Sequence, residues 1–188
     1  MSMDRLGVGF VGTGFVTNTF HLDAWQGVRL ADINGICDID EDKAKGAAKK
    51  AKDLKVGDPS VYTDVRDLAN ADDIDAIWIT VPNYVRLEVL ENIIEEVNQG
   101  SAELTGLACE KPLARNVKEA KKMLDLVEDA GLLHGYLENQ RFAPSILKGR
   151  KILWERGAEL TGRPYMARCA EEHSGPHEAW FWDGERQG

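Results

Sequence analysis

The chain has 188 residues, a length that fits one domain with a sizeable core and part of a second domain. Its composition, 43% hydrophobic and 29% charged residues, is typical of a globular protein. Its net charge of −9 excludes nucleic acid as the expected partner, because phosphate binding needs clustered basic residues. The uncharged segment 6–22 carries four glycines and several polar side chains, so it is too polar to cross a membrane or to serve as a signal peptide. Three widely spaced cysteines without a CxxC pair indicate reduced thiols and predict a cytoplasmic protein.

Short apolar segments alternate along the chain with segments of helical periodicity, which predicts a parallel sheet covered by helices. In the first part of the chain, strands are predicted at 6–11, 30–37 and 61–62. Helical segments are predicted at 16–25, from the capping residue Asp40 to about residue 54, and at 64–68.

The segment 74–81 has the strongest strand pattern, since it is β-branched and apolar on both faces, as in a parallel strand covered by helices. Asn83 is predicted to cap the next helix, which would end before Gly100. The apolar side chains of that helix form one stripe, at Leu87, Leu90, Ile94 and Val97.

The next predicted strand is 107–110, and it is followed by a helix that would begin at a capping box of Asn116 and Glu119 and end at Gly131. The residues predicted to be buried on this helix are Val117, Ala120, Leu124 and Val127. A sixth strand at 132–140 and a helix at 144–156 follow, and 165–170 is predicted to be a further strand.

A glycine-rich turn follows the first strand. The literal pattern GxGxxG begins at Gly7, but it would place a strand at 1–6, which is too polar for the centre of a sheet. The segment 12–17 instead has its first glycine just after the strand, where helix amides can face a pyrophosphate; its candidate binding residues are Gly12, Gly14, Phe15 and Val16. Thr17 replaces the third glycine, and its branched side chain is expected to push helix and strand apart. The glycines alone support a dinucleotide turn and an ordinary tight turn equally.

An acidic residue at the end of the second strand favours the dinucleotide. Asp38 lies 21 residues after Thr17, where its carboxylate can accept the adenosine ribose hydroxyls. Together with Asp40 and Glu41 it would repel a 2′-phosphate, since like charges about 4 Å apart near a surface cost on the order of a few kcal/mol. NAD is therefore predicted in preference to NADP. The alternative is that Asp38 and Asp40 only cap the following helix.

Two later strand ends lie at the same predicted sheet edge. Val81, Pro82 and Asn83 follow the fourth strand, where they form either an ordinary turn or one wall of the cofactor crevice. Lys111 follows a buried strand, and Pro112 restricts its backbone to extended conformations. A lysine beside a nicotinamide ring can pass protons, and Glu110 could bind a ribose hydroxyl; the alternative is an ordinary surface lysine.

His173 and His177 lie four residues apart beside Glu171 and Glu172, a pattern that invites a metal site. Gly175-Pro176 would break the helix that such ligation needs, so no metal is predicted. The two histidines are instead predicted to contact substrate, the alternative being a plain surface loop.

In order along the chain, these motifs resemble the N-terminal half of the Gfo/Idh/MocA oxidoreductases, the glucose–fructose oxidoreductase and inositol dehydrogenase relatives. The resemblance rests on the glycine turn, Asp38, Val81-Pro82-Asn83, Glu110-Lys111-Pro112 and Asn139-Gln140-Arg141-Phe142. It implies a doubly wound parallel α/β sheet, the Rossmann fold, with the start of a truncated α+β second domain.

The resemblance also implies roles for individual residues. Lys111 would lie near the nicotinamide and the substrate hydroxyl, and Glu110, Pro82 and Asn83 would line that end of the crevice. Val81, Arg86 and Asn139 would also contact the cofactor, although Arg86 stands where many members carry histidine. The implied reaction moves a hydride between NAD and a hydroxyl-bearing carbon of a sugar, cyclitol or similar polyol. One alternative is a non-catalytic NAD-binding module. Another is an S-adenosylmethionine-binding fold, and the Glu-Lys-Pro sequence makes that second alternative less favoured.

The resemblance predicts a dinucleotide-binding domain at 1–142, and the beginning of an incomplete substrate or oligomerisation domain at 143–188. The aromatic cluster Trp180-Phe181-Trp182 would belong to the core of that second domain. An unpaired strand and exposed aromatics tend to find partners, so the chain alone is expected to form a homo-oligomer through this tail or to leave it poorly ordered.

Overall fold

A computed structural model describes residues 5–170, 172, 175 and 178–187. Six parallel strands form one sheet in the order β3-β2-β1-β4-β5-β6. They are β1 Leu6–Val11, β2 Ala31–Cys37, β3 Ser60–Tyr62, β4 Ala76–Ile79, β5 Gly106–Glu110 and β6 Leu133–Leu137. The predicted doubly wound α/β sheet is confirmed, and the strand order reverses between β1 and β4, where such sheets bind ligands.

Helices connect these strands. They are α1 (residues 15–25, with π-helical turns at Thr17–His21), α2 Glu41–Asp53, α3 Val65–Ala69, α4 Asn83–Gln99 and α5 Val117–Asp129. Asp40, Asp64 and Asn116 cap α2, α3 and α5 by accepting hydrogen bonds from backbone N–H groups, as predicted for Asp40 and Asn116. Gly100 ends α4 with a φ of 74°, a left-handed conformation that favours glycine.

Both faces of the sheet are largely buried at its central strands. Phe10, Trp25 and Ile33 lie in the core under α1 and α2, and Ile77 and Leu90 lie in the core under α4 and α5. The predicted stripe of α4 is confirmed, but the predicted face of α5 is wrong in part. Val117 and Leu124 are exposed while Met123 and Val127 are buried, because the mostly exposed edge strand β6 leaves one flank of α5 uncovered.

The described residues form two compact units, the first reaching Leu137 and including Gly184–Gln187, and the second spanning Glu138–Asp183. The second unit contains a 3₁₀ turn at Asn139–Phe142, a helix over 144–161, and a 3₁₀ turn at Ala179–Trp182. The sixth strand therefore ends three residues earlier than predicted.

The predicted strand at 165–170 is wrong, since the backbone of 162–170 is irregular. A strand without a partner leaves its backbone groups unpaired, which explains this difference. Within the predicted aromatic cluster, Trp180 stacks on Phe181 with ring centroids 4.1 Å apart, while Trp182 is 80% exposed rather than part of a core.

One buried leucine side chain packs against two glycines on neighbouring strands. Gly9 of β1 is paired in register with Gly35 of β2, and the fully buried side chain of Leu68 lies against both. A Cβ atom on Gly9 would lie 3.0 Å from both Leu68 Cδ atoms, and one on Gly35 would lie 2.3 Å from Leu68 Cδ1. Glycine in these strands therefore marks a close approach of α3 to the sheet.

This packing predicts coupled effects on stability. Gly35→Ala should lower the free energy of unfolding by about 1–3 kcal/mol through overpacking, and Leu68→Ala by about 2–5 kcal/mol through the cavity it leaves. The double variant should lose clearly less than the sum, because truncation of the leucine side chain vacates the space that the new methyl group needs. Urea denaturation of the four proteins measures the cycle, and additivity within about 0.5 kcal/mol would contradict the account.

Candidate functional site

The carboxyl ends of β1, β4 and β5 lie side by side at one edge of the sheet. Parallel strands of a doubly wound sheet present their loops there, at the point where strand order reverses. The glycine turn follows β1, Val81-Pro82-Asn83 follows β4, and Lys111 follows β5. The structure thus brings together the predicted site residues of the first unit.

The turn after β1 requires glycine at its first position. Gly12 has a φ of 96°, and a Cβ atom there would lie 2.9 Å from both Val81 N and Val81 Cγ1. Gly14 is exposed and has no heavy atom within 4 Å of the place where a Cβ would lie, so a ligand can approach the backbone closely. Gly7 and Gly9 lie inside β1, so the literal motif at 7–12 does not form the turn. An open, glycine-lined turn at the start of a helix fits a pyrophosphate.

Thr17 does not separate helix and strand as expected. Its side chain is 1% exposed, and its hydroxyl lies 2.8 Å from both Gly12 O and Thr80 Oγ1. Thr80 Oγ1 is in turn 2.8 Å from the carbonyl oxygens of Val11 and Gly12. The two hydroxyls therefore tie the first helix to the ends of β1 and β4, and the π-helical turns begin at Thr17.

Asp38 binds the glycine turn. Its Oδ2 accepts hydrogen bonds from the Thr13 backbone N–H (2.8 Å) and hydroxyl (2.7 Å), and its Oδ1 accepts one from Asp40 N (3.0 Å). Asp40, not Asp38, caps α2, by accepting from Lys43 N. A carboxylate offers about four acceptor positions, so Asp38 retains room for a ribose hydroxyl.

Asn83 is not the cap of α4. Pro82 occupies the capping position, and Asn83 is the first residue of the helix, 2% exposed, with its Nδ2 donating to Gln187 O at 3.1 Å. Pro82 fixes the backbone at the start of the helix and makes no side-chain capping hydrogen bond. Because the side-chain amide of Asn83 does not cap the helix, it is available for other contacts.

Arg86 is buried beneath the site, 4% exposed, and binds only backbone carbonyl groups through the hydrogen bonds described. Its Nε donates to Val81 O (2.7 Å) and its Nη1 to Glu110 O (2.5 Å) and Pro112 O, while Nη2 lies 3.4 Å from Lys111 O. Burial lowers the pKa of this guanidinium below its usual value. Arg86 therefore joins the segment after β4 to the end of β5.

Glu110 is 7% exposed and has two partners. Its Oε1 lies 2.9 Å from His21 Nε2, and its Oε2 accepts from Lys111 N at 2.9 Å. Burial raises the pKa of the Glu110 carboxyl, but these hydrogen bonds outweigh burial and hold the pKa below its ordinary value. The preceding Cys109 is buried, which raises its thiol pKa to about 11 and makes it a poor nucleophile at neutral pH.

Lys111 is exposed at the tip of β5, and its peptide bond to Pro112 is cis. Phe15 is exposed and Val16 half-buried at the start of the first helix, while Asn139 lies in the 3₁₀ turn of the second unit. His173 and His177 are outside the described residues.

His21 is a site residue that the sequence analysis missed. It lies on the first helix four residues after Thr17, next to Phe10, with ring centroids 5.8 Å apart. A histidine on the sheet-facing side of the first helix was the available signal, but only the fold shows that Glu110 lies opposite.

One protein-family model matches more than half of the chain. Residues 6–136 match the model of the "Oxidoreductase family, NAD-binding Rossmann fold". The chain belongs to this family. The Rossmann fold and the resemblance inferred from the motifs are therefore confirmed.

Individual members of the family share little more than a quarter of their aligned residues with this chain. Levoglucosan dehydrogenase of Pseudarthrobacter phenanthrenivorans is 28% identical over 83% of this chain and 38% of its own length. The inositol 2-dehydrogenase/D-chiro-inositol 3-dehydrogenase of Lactiplantibacillus plantarum is 26% identical over 85% and 42%. A solved oxidoreductase domain protein from Kribbella flavida is 27% identical with a TM-score of 0.67, over 80% and 40%. The chain thus spans about 40% of the length of these relatives.

The described residues include no helix that is long and apolar enough to cross a membrane. No group of three or more His, Cys, Asp or Glu side chains among them is arranged to hold a metal ion.

The carbonyl contacts of Arg86 predict a large effect on stability. Arg86→Met would leave buried carbonyl groups without donors, so it should lower the free energy of unfolding by at least about 2 kcal/mol. Lys118→Met, which removes an exposed cation from α5, is the matched control and should change it by less than about 0.5 kcal/mol. Urea denaturation measures both, and equal small effects would show that Arg86 does not join the two strand ends.

Proposed function

We propose that the protein is an NAD-dependent dehydrogenase that acts on a hydroxyl-bearing carbon of a sugar, cyclitol or similar polyol. The observation that carries this proposal is the exposed Lys111 at the tip of β5, at the same sheet edge as the open glycine turn, in a chain of a family of NAD-binding oxidoreductases. The sugar and cyclitol dehydrogenases among its relatives support the substrate class.

In this proposal each part of the sheet edge has one task. Gly14, Phe15 and Val16 hold the pyrophosphate through backbone amides, because the start of a helix favours an anion. Gly12, whose own amide donates to Cys37 O at 2.8 Å, contributes the sharp turn that brings the backbone close to the pyrophosphate. Val81, Pro82 and Asn83 line the nicotinamide end, and Asn139 is a further cofactor-binding residue that the family resemblance implies. When bound, the nicotinamide supplies the hydride acceptor. The chain's own contribution is to orient the substrate hydroxyl and to move its proton at Lys111 Nζ.

Two residues of that edge support Lys111. Glu110 accepts from the Lys111 amide and Arg86 binds the carbonyl oxygens on either side of it, so the backbone that carries the lysine is fixed. A fixed backbone keeps a catalytic group in the geometry that the reaction needs. We therefore assign Arg86 and Glu110 positioning roles in addition to the cofactor contacts expected from the sequence, and Lys111 the catalytic role.

The preferred cofactor is NAD, since the remaining acceptor position of Asp38 suits a ribose hydroxyl. A 2′-phosphate at that place would meet the carboxylates of Asp38, Asp40 and Glu41, and like charges repel.

The remaining parts of the proposal rest on the sequence. Residues 1–142 form the dinucleotide-binding domain, and 143–188 begin a substrate or oligomerisation domain in which His173 and His177 contact the polyol. Self-association through exposed apolar residues of 143–188, such as Leu160 (84% exposed) and Tyr165 (95%), is part of the proposal. Cys37 and Cys109 are free and buried, in keeping with a reducing compartment such as the cytoplasm.

A matched pair of variants tests the role of Asp38. Asp38→Asn and Asp40→Asn each remove one charge, and asparagine caps a helix as well as aspartate does. Asp38→Asn should weaken NAD binding about tenfold and reduce the preference over NADP, because a hydrogen bond to a charged acceptor is lost. Asp40→Asn should change NAD affinity by less than about twofold. Calorimetric titration with both cofactors is the measurement; tighter binding of NADP than NAD by the unaltered protein would refute the assignment.

The catalytic role of Lys111 has its own test. Lys111→Met should reduce turnover about a hundredfold or more, the usual scale for a lost acid–base group, while NAD affinity stays within about twofold. The assay follows reduced nicotinamide with a panel of inositols and aldoses, using the protein with every domain that its gene encodes. Lys118→Met should be fully active. Unchanged turnover in Lys111→Met would make the lysine structural and the proposed mechanism wrong.

A further inference from the structure

The short helix Gly184–Gln187 lies against the loops that follow β4 and β5. Gln187 O accepts from Asn83 Nδ2 at 3.1 Å, and Glu185 O accepts from Arg115 Nη1 at 2.9 Å. The guanidinium carbon of Arg186 lies 5.4 Å from the centroid of the Tyr84 ring. Three contacts thus fix this helix beside the start of α4, where the nicotinamide end of the site is proposed.

Two buried oxygens at this contact lack donors. Asn83 Oδ1 and Gln187 Oε1 are buried and accept no hydrogen bond from the described residues. The orientation of the Asn83 amide is fixed by its neighbour, because the Gln187 carbonyl can only accept and must face the amide nitrogen. Buried amide oxygens are almost always hydrogen-bonded, so each of these two oxygens indicates that a donor is missing. The hydrogen bond from Asn83 Nδ2 to Gln187 O keeps the two residues in contact.

The surroundings define what kind of donor fits. Arg86 is buried three residues from Asn83 and donates to carbonyl oxygens, whereas Arg115, which contacts the short helix, is paired with the Glu119 carboxylate. An ammonium group would be repelled by the Arg86 guanidinium. A neutral group with two N–H donors, such as a primary amide, matches the two acceptors and avoids that cost.

We propose that Asn83 Oδ1 and Gln187 Oε1 together receive the carboxamide NH₂ of the nicotinamide ring. This inference rests on the proposed function, since it assigns a residue outside the sheet, Gln187, to the nicotinamide end of that site. Gln187 then helps to fix which way the carboxamide, and with it the ring, is turned. It also distinguishes a nicotinamide from rings whose substituent cannot donate.

The test compares three ligands by calorimetric titration of the chain. NAD carries the carboxamide, the 3-acetylpyridine analogue of NAD has a methyl ketone in its place and no N–H, and ADP-ribose lacks the ring. Gln187→Leu removes the side-chain acceptor but keeps the backbone carbonyl that binds Asn83. Gln187→Glu keeps an acceptor oxygen, and thermal unfolding of both variants confirms that they are folded.

Gln187→Leu is expected to weaken NAD binding about fivefold to tenfold, the scale of one lost hydrogen bond, and to leave the acetylpyridine analogue and ADP-ribose within about twofold. Gln187→Glu should bind NAD as tightly as the unaltered chain or more tightly. Equal weakening of all three ligands by Gln187→Leu, or of none, would overturn the inference while leaving the proposed function intact. If the unaltered chain binds neither NAD nor ADP-ribose, the proposed function fails and the inference fails with it.

Discussion

The buried guanidinium of Arg86 is the contact on which the candidate site most depends. Parallel strands bring their carboxyl ends to one edge, but the loops beyond those ends are not held by the sheet's own hydrogen bonds. Arg86 supplies that support, because its donors reach the carbonyl oxygens of Val81, Glu110 and Pro112. Burial of the charge is costly, which is reflected in the lowered pKa, and several carbonyl acceptors offset that cost. Lysine could not replace it, since a single ammonium group lacks the planar fork of donors.

The phosphate end of the site is organised by hydroxyl groups. Many dinucleotide turns use a third glycine to bring helix and strand together, whereas here Thr17 and Thr80 make that contact through oxygen atoms. Thr13, the next residue of the turn after Gly12, donates hydrogen bonds to Asp38 through its backbone amide and its hydroxyl. The carboxylate proposed to bind ribose therefore also holds the glycine turn, so cofactor preference and turn geometry depend on the same residue.

The two ends of the site are connected through His21. It lies on the helix that follows the glycine turn and contacts Glu110, which holds the amide of Lys111. One helix thus carries both the backbone amides proposed to bind pyrophosphate and a partner of the proposed catalytic segment. This arrangement explains how a site built from three separate loops keeps a common geometry.

Sequence reasoning predicted the strands and most helices because each has a clear period and a capping residue, as with Asp40 and Asn116. It also placed Gly12, Asp38 and Lys111 at one sheet edge, since parallel strands share their carboxyl ends. The hydrogen-bond partners of polar side chains were not predictable from the sequence. Thr17 was expected to push helix and strand apart, Asn83 was expected to cap α4, and His21 was overlooked. The contacts of Thr17 with Thr80, of His21 with Glu110 and of Asn83 with Gln187 join residues 63, 89 and 104 positions apart, and only the packed fold determines them. The segment 165–170 has strand propensity, but propensity without a pairing partner does not form a strand.

The most direct measurement for the central claim, that this sheet edge binds a dinucleotide, is nuclear magnetic resonance of the ¹⁵N-labelled chain during NAD titration. The account predicts that the largest shifts of backbone amides occur at Thr13 to Val16, at Asp38 and at Lys111. ADP-ribose should reproduce the shifts in the glycine turn and at Asp38 but not at Lys111. Shifts confined to the helix at 144–161, or no shifts at millimolar NAD, would contradict the account.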